Sequence, residues 1–165
     1  MSAAGDEPGR HVLEPWALEL LRSARVGRLG TAAGGVPLVV PVCYALLEDG
    51  DALRVVSAVD AKPKTSRRLR RVRNLEQNPR ATLLVDVWDE DWAKLRWVMV
   101  EGEARVLDPA DAAVHGARDE ALRALEQKYS QYQKLPLEPL QTPVIVLVAT
   151  RVLAWRSGGL PAASR

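Results

Sequence analysis

From Val36 to Leu47 the chain runs for twelve residues without a charged side chain. The run is too short to span a bilayer, and Pro37 and Pro41 forbid an uninterrupted helix. It therefore reads as a strand. Residues of both parities are apolar, so both faces of that strand need cover. The core supplies one cover, and a second subunit or a flat ligand would supply the other. Pro41 cannot donate a ladder hydrogen bond, which places it at a sheet edge, a bulge or a gap between strands.

The neighbouring segments extend this strand into a meander. Val26 to Ala32 alternates as a first strand, and Gly34-Gly35 turns the chain into the apolar run. Glu48 to Asp51 carries the Asp-Gly pair of a tight hairpin, and Ala52 to Ala58 forms the third strand. Upstream, Leu13, Trp16, Ala17, Leu20 and Leu21 share one helical face, with Pro15 tolerated in the first turn. Downstream, the spacing predicts a helix from Lys64 to Gln77, with Leu69, Val72, Leu75 and Glu76 inward and Asn78-Pro79 as its stop.

Three more strands follow. Arg80 to Trp88 places Ala81, Leu83, Val85 and Val87 on one face; Asp89 to Asp91 turns; Leu95 to Leu107 places Val98, Val100, Ala104 and Val106 together. Asp108-Pro109 is expected to open a helix whose inner side holds Leu122, Leu125, Tyr129 and Tyr132. A proline-bearing connector leads to a last strand, Val144 to Trp155. The expectation is an α+β, mainly β fold: six antiparallel strands in a barrel with peripheral helices, one domain over residues 13–157, and tails at 1–12 and 158–165.

The chemistry is constrained by absences. There is no Walker loop and no G-x-G-x-x-G after a strand. His11 and His115 are the only histidines and fall in unrelated segments, so no histidine-rich metal site or histidine-based triad is visible. Cys43 is alone within the apolar run, where a buried inert thiol is the expected state. No apolar leader precedes Leu13, and a cytoplasmic protein is the expectation. An enzyme built from these residues would take its reactivity from an organic cofactor.

One cluster invites an anion. Lys62, Lys64, Arg67, Arg68, Arg70, Arg71 and Arg73 put seven cations into twelve residues with no acid among them. The cluster begins beside an expected helix start, where Thr65 and Ser66 add hydroxyls and backbone N–H groups point outward, a ready phosphate site. A solvated basic face and a nucleic-acid-binding helix are the competing readings. The second fits poorly, because the net charge is only +2 and no recognition module is visible. Trp92 and Trp97 flank an acidic turn and a half-covered strand, so ring stacking competes there with packing.

Taken together these segments resemble the pyridoxamine-5′-phosphate-oxidase-like split-barrel superfamily, and within it the deazaflavin-dependent branch. The resemblance is carried by Pro41-Val42, Val56-Ser57, the stretch Asp60 to Thr65, the stretch Leu69 to Leu75, Asn78-Pro79-Arg80, Val85-Asp86, Asp89 to Trp92, Trp97-Val98 and Gly102 to Ala104. It implies an FMN-binding type of split barrel and a homodimer with the cofactor in a groove between subunits. It implies hydride transfer between coenzyme F420 and a small organic substrate, with FMN as the alternative cofactor and a carrier without turnover as the alternative role. By position, Lys62, Lys64, Thr65, Ser66, Arg71 and Asn74 would hold the phosphate end, and Val40, Pro41, Val42 and Ser57 would border the ring. Trp92 and Trp97 would line the groove. No catalytic side chain, metal, nucleic acid or membrane is implied. The branch usually carries tryptophan and arginine near the Trp97 strand, where this chain has Arg96 and Met99.

Overall fold

The computed structural model describes residues 13–49, 52–59, 69–137 and 141–158. Helix α1 (Pro15–Ser23) leads into β1 (Gly27–Ala33), β2 (Val36–Val42), β3 (Ala45–Asp49) and β4 (Ala52–Ala58). Helix α2 (Arg70–Gln77), β5 (Arg80–Val87), β6 (Arg96–Leu107), α3 (His115–Lys128) and β7 (Val144–Arg156) complete the chain, with 3-10 turns at Trp92–Lys94, Ala112–Val114 and Ser130–Gln133. All seven strands belong to one open antiparallel sheet in the order β2-β1-β5-β6-β7-β4-β3.

The expected six strands are seven because the apolar run divides. β2 ends at Val42 and β3 begins at Ala45, and these two consecutive strands form opposite edges of the sheet. A strand that leaves one edge for the other cannot keep its ladder, so the backbone at Cys43 and Tyr44 needs other partners. Tyr129 supplies them. Its hydroxyl accepts from the Tyr44 N–H at 2.9 Å and shares its proton between the carbonyls of Tyr44 and Arg25, each at 2.9 Å. The Tyr44 hydroxyl donates to the Leu21 carbonyl at 2.6 Å, tying α1 to the same point.

Side chains pack on both sides of the sheet. The larger cluster gathers Leu20 and Leu21 of α1, Leu29, Val55, Leu83, Val85, Val98, Val100 and Leu147 from the strands, and Val72 and Leu75 of α2. The smaller one lies under α3 and joins Leu122 and Leu125 to Ala45, Val56, Leu107, Val144 and Val146. Adjacent residues of β4 and β7 therefore enter different clusters: Val55 and Val56, Ile145 and Val146. Burying one such Val or Leu is worth about 1.5–3 kcal/mol.

The helices start later than their patterns predict. α2 begins at Arg70, with Leu69 extended at its N-cap, and buries Val72, Asn74 and Leu75 while Leu69 and Glu76 are exposed. Asp108 caps only a turn, accepting from the Ala110 N–H at 2.8 Å, and α3 begins at His115. Tyr129 and Tyr132 lie beyond the end of α3. Tyr129 is extended, which lets its ring reach the β2–β3 crossing.

Cations stack over these rings. The Lys128 ammonium sits 3.9 Å from the Tyr44 ring centroid, and the Arg25 guanidinium 4.4 Å from that of Tyr129 while donating to the Lys128 carbonyl at 2.6 Å. Burial, reinforced by the Arg25 charge, pulls the Lys128 amine down to about 8. Burial pushes the Tyr44 phenol well above its usual value. Between pH 8 and about 10.4 the unfolded chain then binds more protons at Lys128 than the folded one, so stability rises with pH across that window. Above about pH 10 Tyr44 opposes it, because the unfolded phenol ionises first. Chemical denaturation at pH 7.5 and 9.5 should show the wild type gaining stability relative to Lys128→Met; equal pH dependence in both would contradict the buried amine.

Candidate functional site

The helices leave part of the sheet bare. α3 covers the side of β3, β4 and the start of β7, while the matching side of β1, β2, β5 and the first half of β6 has no layer over it among the described residues. Pairing register places Pro41, Arg28, Leu84, Met99 and Leu153 in one row across this outer face. A second row runs through Val39, Gly30, Thr82, Glu101 and Arg151, and a third through Asp86, Trp97 and Trp155. Val39 is 65% exposed, and Trp155 is about half exposed. The only charges in the rows are paired, Arg28 with Asp86 and Arg151 with Glu101.

The second row lies in a concavity of about 680 Å³ lined by Gly30, Pro37, Val39, Thr82, Gly102 and Arg151, among others. Its floor is small because two strands approach closely there. Glu101 pairs with Arg151 but Gly102 with Ala149, so Thr150 is an extra residue on β7, a bulge that bends the strand. A Cβ on Gly102 would stand 1.9 Å from the Val148 carbonyl oxygen, so the register requires glycine. Thr150 donates its hydroxyl to the Glu101 carbonyl at 3.3 Å, steadying the bulge.

The residues expected from sequence divide between the two sides of the sheet. Pro41 faces outward, opposite Arg28, on the exposed β2 edge. Trp97 is half-buried in the outer face opposite both Asp86 and Trp155. Val40 and Val42 turn inward, Val42 into the core and Val40 against it. Ser57 is buried beside Ile145. Asn74 is buried too, and its amide donates to the Thr31 hydroxyl at 3.1 Å, fixing α2 to β1. Arg71 is half-buried in the first turn of α2. Trp92 is 60% exposed in the 3-10 turn after β5. Lys62, Lys64, Thr65 and Ser66 lie outside the described residues.

The start of α2 suits an anion. No side chain caps it, its first turn holds no acid, and Arg70, Arg71 and Arg73 surround it. Near the aromatic end of the outer face, Asp89 accepts from the Asp91 N–H at 2.8 Å, which together with Lys94 holds its carboxyl below the usual range. No described group of His, Cys, Asp and Glu could hold a metal ion. The His115 ring is engaged with the Pro109 carbonyl at 3.0 Å.

Residues 13–156 match the family model described as pyridoxamine 5′-phosphate oxidase. The chain belongs to that family. Among solved structures it is similar to Rv2991 of Mycobacterium tuberculosis, at 20% identity and TM-score 0.69 over 98% of this chain and 97% of that one. An FAD-binding protein of Mesorhizobium loti is 22% identical, with TM-score 0.60 over 86% of this chain and 94% of that one. A heme binding protein of Mycobacterium smegmatis is 27% identical, with TM-score 0.59 over 90% of this chain and 57% of that one. A search of the curated proteins finds no match. The fold of this pyridoxamine 5′-phosphate oxidase family member is thus a split barrel, with the split between the β2 and β3 edges.

Sequence reasoning missed the concavity. Its signal was present in Gly30 and Gly102, isolated glycines inside strands, which mark bulges or close backbone approach. Gly102→Ala should destabilise the fold by about 1–3 kcal/mol, the usual cost of overpacking, because β6 and β7 must part. Denaturant titration with an unchanged m-value checks this; a neutral effect would mean the bulge accommodates a methyl group.

Proposed function

We propose that this protein is an oxidoreductase that works with a flavin-type cofactor, the deazaflavin coenzyme F420, held in a groove between two copies of the chain. The observation that carries this reading is the bare outer face of a pyridoxamine 5′-phosphate oxidase-type barrel, apolar along β2 and bordered by Trp97 and Met99. Contiguous exposed apolar surface of this kind marks an interaction site. An FAD-binding protein and a heme binding protein on the same fold support a planar cofactor.

The residues present fit such a cofactor. Its phosphate would be held by Lys62, Lys64, Thr65, Ser66 and Arg71 at the uncapped, acid-free approach to α2. Its ring would be bordered by Pro41, which presents a flat surface on the outer face; Val40 and Val42 seat β2 on the core from behind, and Ser57 is buried beside Ile145. Trp92 and Trp97 would close the groove against water. Asn74, committed to Thr31, acts by positioning α2. When bound, the cofactor supplies hydride transfer to an organic substrate; no side chain is assigned as acid or base. FMN is the second candidate, since its phosphate meets the same loop.

Fluorescence titration of coenzyme F420 and of FMN tests this directly. A charge-assisted contact is worth about 1.5–3 kcal/mol, so Lys64→Ala or Arg71→Ala should weaken binding by roughly ten- to a hundredfold. Arg67→Ala should change it little, and thermal melts should show all three folded. Equal affinity across the four proteins would reduce the cluster to a solvated basic face. Assembly is tested separately: light scattering should report a dimer, and Val39→Glu, which puts a charge on the outer face, should give monomers that bind cofactor weakly. A monomeric wild type at micromolar concentration would remove the shared groove.

A further inference from the structure

We propose that Arg118 and the first turn of α3 form a binding site for an oxyanion, a phosphate or a carboxylate group. The Arg118 side chain is only 2% exposed, and it is the largest fully buried side chain among the described residues. Its Nε and Nη1 are buried with no hydrogen-bond acceptor. Its Nη2 meets, among the described residues, the Asp119 carboxylate, 3.8 Å away and half exposed. Asp119 is the adjacent helical residue, and residues one apart do not face each other. A guanidinium retained in the interior without acceptors is a costly arrangement unless a charged partner completes it.

α3 spans fourteen residues, and its N-cap, Val114, has no side-chain acceptor. No acid lies in the first turn of α3 itself; Asp111 caps the 3-10 turn that leads into it, accepting from the Ala113 N–H at 3.0 Å. Arg118 is the fourth residue of the helix, and a long helical side chain leans back over the turn that precedes it. Its guanidinium and the helix start are thereby directed to one place.

The nearby ionisable groups are already engaged. Asp108 accepts from the Ala110 N–H at 2.8 Å and Asp111 from the Ala113 N–H at 3.0 Å. Glu120 faces Arg54 at 3.4 Å, and the His115 ring meets the Pro109 carbonyl. None of them completes Arg118. The site uses no residue of the basic segment from Lys62 to Arg73, so it stands apart from the proposed cofactor site.

The test measures wild type, Arg118→Met, Arg118→Lys and Lys64→Ala by thermal melts in sodium chloride, sodium phosphate and sodium acetate at matched ionic strength and pH. The expected result is a saturable rise in Tm with phosphate or acetate in wild type and Lys64→Ala. Arg118→Met should lose the rise, and Arg118→Lys should need at least tenfold more anion. Phosphate acting alone identifies a phosphate ligand, and acetate acting alone a carboxylate. Should Arg118→Met fail to fold, the Nε–H spectrum of wild type decides: one arginine resonance, absent from Arg118→Lys, should move saturably with the active anion. No saturable response to either anion, or the same response in Arg118→Met, overturns the site.

Discussion

The hydroxyl of Tyr129 holds the place where the two edges of the sheet are joined by chain. Its three contacts, to the N–H and carbonyl of Tyr44 and the carbonyl of Arg25, replace the ladder bonds that the crossing from β2 to β3 gives up. A phenol suits this because it donates and accepts at one atom. A buried backbone group left unpaired there would cost about 1–3 kcal/mol. With Tyr44 also bound to Leu21, α1, the crossing and the end of α3 meet at one small polar knot. The Lys128 and Arg25 cations stack over its rings.

That knot determines what is left open. Because the apolar run splits there, β2 is an edge strand with one side on the core and the other side bare. Its prolines are acceptable only at such an edge, where a missing N–H costs no ladder bond. α3, drawn toward the crossing by Tyr129, covers β3 and β4 and leaves the outer face of β1, β2 and β5 without a layer over it among the described residues. The Gly102 bulge then hollows that face.

The legible parts of the site were those set by local chemistry. Pro41 and Trp97 were read from such chemistry, and both lie on the outer face. Val40 and Val42 were read with Pro41 from their chain proximity, but strand alternation sends them to the other side. Asn74 looked like a ligand group because polar residues near a basic cluster invite that role; the fold brings Thr31 to it from 43 residues away. Arg118 gave no signal at all, since an arginine in a charged helical stretch reads as solvated until the helix face is known.

The sequence alone determined the mainly β, antiparallel class, the approximate place of most strands, and the fact that the Val36–Leu47 run is apolar on both faces. Those follow from hydrophobic period, turn residues and proline, all short-range properties of the chain. Tertiary structure decided that this run is two strands rather than one, that α2 and α3 start late, and that the outer face is hollow. Each depends on a partner distant in sequence: Tyr129 for Tyr44, Thr31 for Asn74, Val148 for Gly102. Periodicity records which residues share a face; only packing records what that face meets.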